Sequence, residues 1–251
     1  MIKVSASIVI YNENKETLEK ALSSFMAIAL DKELVVVDNS PTPRLKTFIE
    51  KFKYTKYIFN GRNLGFGAGH NMAFENLSQK SDIHIIINPD IYFDGDEIKE
   101  FIIWLSKEKE VSLAAPKVYF PDSTEQCTIR NIPTPMTLVK RRLNPKGIFD
   151  EFIAKDEFRD TAFDKVTEIP FSHGCFFLFK TEVFSKLGGF DERFFMYMED
   201  IDIFIRAKKF GKTVINPNYN IIHEYRKGSS KSLKLLLWHI SSAIKFFRKH
   251  G

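Results

Sequence analysis

Ile83-His84-Ile85-Ile86-Ile87-Asn88-Pro89-Asp90 is the stretch on which the reading of this chain turns. Four isoleucines around one histidine read as a strand buried on both faces. The strand stops on a proline, and a carboxylate follows. In an open α/β sheet, ligands sit at the carboxyl ends of the strands. Asp90 is therefore either a loop acid after a core strand or a metal ligand delivered by a rigid support. Residues further along decide between the two.

Outward from this strand, the first half alternates short apolar strands with amphipathic helices. Strands are expected over 5–11, 33–38 and 57–60, and helices over 15–30, 45–52 and 72–77. Leu18, Ala21, Leu22 and Phe25 fall at helical spacing in the first helix. Asp94 is placed to cap a helix running to Trp104 and Leu105. Such alternation predicts an α/β fold with a Rossmann-like, mostly parallel sheet and helices on both faces. Beyond it, 116–165 is proline-rich, then charged and aperiodic, and reads as a long excursion or flap. Strands are expected again over 171–180 and 213–217, with helices over 181–187 and 198–210. There is no internal repeat and no sign of a second independent domain.

Bulk properties set limits. At 251 residues the chain can bury one sizeable core, and 44% hydrophobic with 27% charged residues is ordinary for a globular protein. No apolar run approaches the roughly 20 residues needed to span a bilayer, and no secretory signal opens the chain. Cys127 and Cys175 fit neither a disulfide framework nor a zinc site, which points to a reducing, cytoplasmic location. Seven of the 37 Lys and Arg, and none of the 32 Asp and Glu, lie from Arg226 onward, so residues 1–225 carry a net −2. A nucleic-acid-binding domain would spread its basic residues over the core surface, so no nucleic-acid partner is expected.

Four further groups carry chemistry. Glu199-Asp200-Ile201-Asp202 opens a helix, where the dipole favours negative charge. These acids emerge from the apolar wall Phe194-Phe195-Met196-Tyr197-Met198, which would raise a carboxyl pKa and suit general-base work. His223, at the end of Asn220-Ile221-Ile222-His223, is either structural or, if it meets Asp90, part of an oxygen-rich Mg²⁺ or Mn²⁺ site. Gly61 to Asn71 invites comparison with a dinucleotide fingerprint, but His70 stands where the third glycine should be and the loop follows the third strand. A nicotinamide-dependent oxidoreductase is thereby excluded. The loop can still let backbone pass beside a nucleotide, and Asp38-Asn39-Ser40 is placed to hydrogen-bond a base or ribose.

In this order, the pieces resemble the family-2 inverting glycosyltransferases of A-type fold, over nearly the whole chain from Ser7-Ile8-Val9-Ile10-Tyr11-Asn12 to His223. Asn63-Leu64-Gly65-Phe66-Gly67-Ala68-Gly69-His70-Asn71, Asn88-Pro89-Asp90 and the run from Gly188 through Asp202 to Arg206 look like the bacterial rhamnosyltransferase branch. The resemblance implies that Tyr11, Asn12, Glu13, Asp38 and Asn39 line the nucleotide pocket. Asn63, Gly65, Gly69 and Asn71 would lie beside base and sugar. Asp90 would be the last acid of the metal-binding triplet, whose first position is here the weaker ligand Asn88, with His223 at the metal or diphosphate. Asp200 would be the inverting base, with Glu199 and Asp202 orienting it or the acceptor. The implied reaction moves a sugar, L-rhamnose from dTDP-rhamnose, to a lipid-diphosphate-linked glycan in bacterial surface polysaccharide (O-antigen or capsule) synthesis. A UDP-sugar donor, with galactofuranose, a hexose or an N-acetylhexosamine, and a non-catalytic nucleotide-sugar-binding module are the alternatives.

The tail, residues 226–251, is set apart from the catalytic domain, 1–225. Leu233, Leu236, Leu237, Ile240, Ile244 and Phe247 share one helix face, and Lys234, Ser241, Lys245, Arg248 and Lys249 another. It reads either as a terminal helix docked on the domain or as an interfacial helix at an anionic inner leaflet, giving peripheral membrane contact.

Overall fold

The computed structural model of the chain describes residues 2–224 and 233–251. The first half alternates as expected: β1 (Lys3–Ile10), α1 (Lys15–Ala27), β2 (Asp31–Asp38), α2 (Lys46–Ile49), β3 (Thr55–Phe59), α3 (Phe66–Glu75) and β4 (Ile83–Ile87). β5 (Ile91–Tyr92), α4 (Gly95–Lys107), β6 (Val111–Tyr119), β7 (Ile129–Arg130), α5 (Pro135–Arg142) and α6 (Asp150–Asp156) follow. The rest comprises β8 (Thr167–Glu168), β9 (Phe171–Ser172), β10 (Phe176–Lys180), α7 (Thr181–Leu187), α8 (Glu199–Ala207), β11 (Lys212–His223) and α9 (Leu233–His250). Local chemistry fixes the helix starts. The Asn14 side chain accepts from the N–H groups of Glu16 and Thr17, and that of Asp94 from Asp96 and Glu97, satisfying donors with no partner in the helix.

The main sheet runs β3-β2-β1-β4-β10-β6-β11-β5, with β8 beside β11. β1 to β4 pair in parallel, as do β6 and β11, whereas β10 is antiparallel to both β4 and β6. The sheet is thus mixed but mostly parallel. Every residue of β4 is buried, and its side chains alternate between two cores. Ile83, Ile85 and Ile87 meet Leu18 and Phe25 of α1 and Phe101 of α4; Ile86, with Phe177 and Phe179 of β10, meets Phe184, Phe204 and Phe246. His84 is accommodated between the Ser5 and Ser7 hydroxyls, 2.8 and 3.2 Å from its two ring nitrogens, and burial pushes its pKa down to about 3, so it stays neutral.

Several expectations shift. Only 61–65 of the glycine-rich stretch is the loop expected there; its second part, from Phe66, already belongs to α3. β6 has no counterpart in the sequence reading. The strand expected over 171–180 is two strands broken at His173-Gly174-Cys175, and β11 runs on to His223 itself. The excursion 116–165 contains α5, α6 and a short turn of 3-10 helix at Pro145–Gly147. The boundary drawn between residues 225 and 226 lies outside the described residues. The tail helix beyond it begins at Leu233 and packs against the segment 191–202.

Candidate active site

The carboxyl ends of β1, β2 and β4 lie side by side at one edge of the sheet, the place where a parallel sheet offers its ligand site. Tyr11, Asn12 and Glu13 follow β1; Tyr11 is half exposed and Asn12 has φ +52°, with its N–H on Ser40 Oγ at 2.8 Å. Asp38 ends β2 but is only 1% exposed, and its carboxylate accepts from Tyr57 Oη at 2.6 Å and Ser40 N at 2.9 Å. It braces the strand end instead of presenting an unengaged carboxylate to a base. Asn39 Nδ2 donates to Gly65 O at 3.1 Å, and its Oδ1 accepts from Asn60 at 2.7 Å; Asn63 Oδ1 accepts from Gly65 N at 2.9 Å. These amides shape the turn into α3.

Two glycines there permit close approach. A Cβ on Gly65, where φ is +93°, would lie 2.3 Å from the carbonyl oxygen of Phe195, and one on Gly69 would lie 2.7 Å from a methyl of Val9 on β1. Asn71 is not free as a ligand contact. Its amide donates to Phe190 O at 2.9 Å and Glu192 Oε1 at 3.0 Å, and its oxygen accepts from Phe190 N at 2.8 Å. With Phe66 N on Phe195 O at 3.2 Å, α3 is stitched to the segment that leads to Glu199 and Asp200.

That segment ends in two successive non-glycine residues in the left-handed region, Tyr197 (φ +71°) and Met198 (φ +68°). Such backbone costs on the order of 1–3 kcal/mol per residue and persists where surroundings enforce it. Here the enforcement is α9: Ser242 Oγ donates to Met196 O at 2.8 Å, Lys245 Nζ to Arg193 O at 2.8 Å, and Trp238 packs on Phe195. The kink launches α8 with Glu199 and Asp200 in its first turn.

Asp200 Oδ1 accepts from Ile201 N at 2.9 Å and Oδ2 from Gly174 N at 3.3 Å. Burial raises its pKa above the ordinary carboxylate range, although those N–H bonds and the Arg130 charge oppose the shift. Glu199 is buried, with Oε2 lacking a hydrogen-bond partner, and burial followed by the Asp200 charge raises its pKa too. The neutral acid is therefore favoured at Glu199. Asp202 departs from expectation. Its fully buried carboxylate points to the other side of α8, bound by Arg206 Nε at 2.7 Å, His250 Nε2 at 2.7 Å and Lys249. It anchors α9 and neither orients Asp200 nor reaches an acceptor.

Asp90 and His223 do meet, His223 Nε2 lying 3.4 Å from Asp90 Oδ1. Gln126 Oε1 sits 3.1 Å from His223 Nδ1 and fixes the ring from behind. Asn88, two residues earlier, donates its N–H to Cys175 O at 2.9 Å. Among the described residues no group of three or more His, Cys, Asp or Glu gathers as a metal cage. One carboxylate and one imidazole would suit a Mg²⁺ or Mn²⁺ ion, a kind of ion that takes few protein ligands and fills its other positions with phosphate oxygens and water.

The turn His173-Gly174-Cys175 joins the two ends of the site. Burial pushes the Cys175 thiol up to about 12, and the charges of Asp90 and Asp200 both add to the rise, so the thiol lies within electrostatic reach of each. Burial holds His173 well below its usual pKa, aided by Arg130, Arg141 and His223. The sequence reading passed over this turn, and over Gln126 and Arg130. Gly174 inside an apparent strand was the available signal, since glycine there marks a break or bulge. Gln126 and Arg130 sit in aperiodic chain and gave none.

Comparison with known proteins places the chain in a family and matches its fold. Residues 5–188 match the profile of Glycosyl transferase family 2. Over 253 residues the chain is 24% identical to rhamnosyltransferase WbbL of Escherichia coli (strain K12), spanning 96% of this chain and 92% of that protein. It is 23% identical over 254 residues to N-acetylglucosaminyl-diphospho-decaprenol L-rhamnosyltransferase of Mycobacterium tuberculosis, spanning 93% and 81%. A 26% match over 208 residues to the low-salt glycan biosynthesis hexosyltransferase Agl10 of Haloferax volcanii covers 81% of this chain but 61% of that protein. The mannosyltransferase PcManGT from Pyrobaculum calidifontis, solved with GDP-Man and Mn²⁺, superposes with a TM-score of 0.62 at 17% identity, over 96% of this chain and 64% of that one. At such identity the likeness speaks for the fold.

Proposed function

The chain belongs to glycosyl transferase family 2 and is a sugar-transferring enzyme, and from that premise we propose that it moves L-rhamnose from dTDP-rhamnose, with inversion, to a glycan carried on a lipid diphosphate in bacterial surface polysaccharide synthesis. The observation that supports the reading is that Asp90, paired with His223, and Asp200, bonded to Gly174 N, both come close to the His173–Cys175 turn. The names of the rhamnosyltransferase relatives support the donor, and that of the mycobacterial relative supports the acceptor.

The reaction is a single in-line displacement. The acceptor hydroxyl oxygen attacks the anomeric carbon while Asp200 takes its proton, and the bond to the nucleoside diphosphate breaks on the opposite face. One carboxylate base suffices, because no sugar–enzyme bond forms. A raised pKa strengthens Asp200 as a base. A divalent cation held by Asp90 and His223 would neutralise charge on the departing diphosphate. Tyr11, Asn12, Glu13, Asn39, Asn88 and the Asn63–Gly65 turn border the nucleotide, and Asn71 and Gly69 hold that turn in place. Glu199, kept neutral, limits the negative charge beside Asp200. The basic, apolar tail helix supports peripheral contact with an anionic membrane at the cytoplasmic face, where the acceptor would reside. No described helix is long and apolar enough to cross a membrane.

The test is release of nucleoside diphosphate from a panel of dTDP- and UDP-sugars, with and without Mn²⁺ and with a short-chain N-acetylglucosaminyl-diphospho-lipid acceptor. Turnover is expected with dTDP-rhamnose, and Asp200→Asn should lower kcat by about 10³-fold or more while donor affinity holds, in line with loss of a base. Equal turnover by variant and parent removes Asp200 as base; turnover confined to a UDP-sugar removes the rhamnose assignment.

A further inference from the structure

Helix α9 lies on the domain by one edge. Ser242 and Phe246 are buried, and Lys249 and His250 reach Asp202. The opposite edge carries Leu233, Leu237, Ile240 and Ile244, at helical spacing and 72, 58, 47 and 48% exposed, with Lys234, Lys245 and Arg248 alongside. The tail is thus docked, yet its apolar stripe has no cover in the described structure.

A second helix repeats the pattern. On α5, Thr137 is buried and Leu138 packs on the same core cluster as Ala243, Phe246 and Phe247 of α9. Its opposite face carries Met136, Val139 and Leu143, 60, 50 and 62% exposed, flanked by Lys140 and Arg142. Arg142 and Arg141, at the end of α5, both bear electrostatically on His239 in the middle of α9. Both helices are seated on one core cluster, and each leaves an apolar, cation-flanked face exposed. Neither contains an Asp or Glu.

We propose that α5 and α9 form one two-helix platform that seats the enzyme on an anionic lipid bilayer, the apolar stripes entering the interface and the flanking cations meeting headgroups. Charge decides the occupant. A second copy of the chain would bring cations against cations across the contact, and a polyanion such as nucleic acid would leave the apolar stripes in water. Anionic lipid satisfies both features. The proposal rests on the reading that the acceptor is lipid-borne, and it makes the segment 116–165 part of the surface that approaches it.

Flotation of the full chain with phosphatidylcholine vesicles, with and without phosphatidylglycerol, tests it. Val139→Glu/Leu143→Glu on α5 and Leu237→Glu/Ile240→Glu on α9 alter exposed residues outside the catalytic machinery. Each pair alone should cut binding to phosphatidylglycerol vesicles at least about tenfold, as expected for losing two buried apolar side chains. Parent binding should fall with added salt and vanish on pure phosphatidylcholine. Donor turnover without vesicles reports folding and should stay at the parent level. The proposal is overturned if the α5 pair floats like the parent, if the parent ignores phosphatidylglycerol, or if the same variants instead dissociate a dimer in sedimentation. Flotation with no turnover on any donor sinks the transferase reading and leaves the platform standing; turnover without flotation does the reverse.

Discussion

Asp200 and Asp202 are two positions apart on α8, about 200° around a helix, so they cannot serve the same site. Burial alone would raise the Asp202 carboxyl, but the bonds from Lys249 and His250 and the charge and bond of Arg206 outweigh it and hold the pKa below the usual range. Asp202→Ala should cost about 3–5 kcal/mol in urea unfolding, because it strands buried cations. Glu199 behaves oppositely. Its folded pKa lies above the unfolded 4.5, so the folded state keeps a proton that the unfolded chain releases. The stability this gives is complete below pH 4.5 and is lost as pH rises through the folded pKa. Glu199→Gln should therefore raise Tm at pH 8 by about 2–4 °C per kcal/mol removed, and leave Tm near pH 4.5 unchanged. At this scale the sequence disclosed residue types and strand ends, hence Asp90, Asp200 and His223. It disclosed less about direction: the lysine and histidine that complete the Asp202 cluster lie 47 and 48 residues on.

Helix α3 shows why elements were partly legible. Glycines at 65, 67 and 69 argue against helix on propensity, yet helical backbone forms because their missing side chains let α3 lie against β1 and the 190–195 segment. Gly69→Ala should cost about 1–3 kcal/mol from overpacking against Val9, and Val9→Ala in the same chain should return part of it, measured by chemical denaturation. An additive loss in the double variant would refute the contact as cause. β4 and α7 were read to the residue, because apolar runs bounded by Pro, Thr and Gly leave little freedom. β6 was missed: it carries Pro116 within it and follows a helix whose end blurs into its start.

For the molecule as a whole, the parallel half was readable from strand–helix alternation. The order β10-β6-β11 was not, since those pairings join residues some 60 to 100 positions apart and leave no periodic trace. The same long reach makes the two halves one machine. Asn71, Gly65 and Phe66 from the first half bind Phe190, Glu192 and Phe195 from the second, and α9 clamps that second partner from outside. On the proposed assignment, a nucleotide seated against the α3 turn would press on the same strap that carries Asp200, and filling one subsite would then alter the free energy of filling the other. Thermodynamic reciprocity then requires the acceptor to change donor affinity by the same factor that the donor changes acceptor affinity. Under that assignment the two substrates would be each other's effectors.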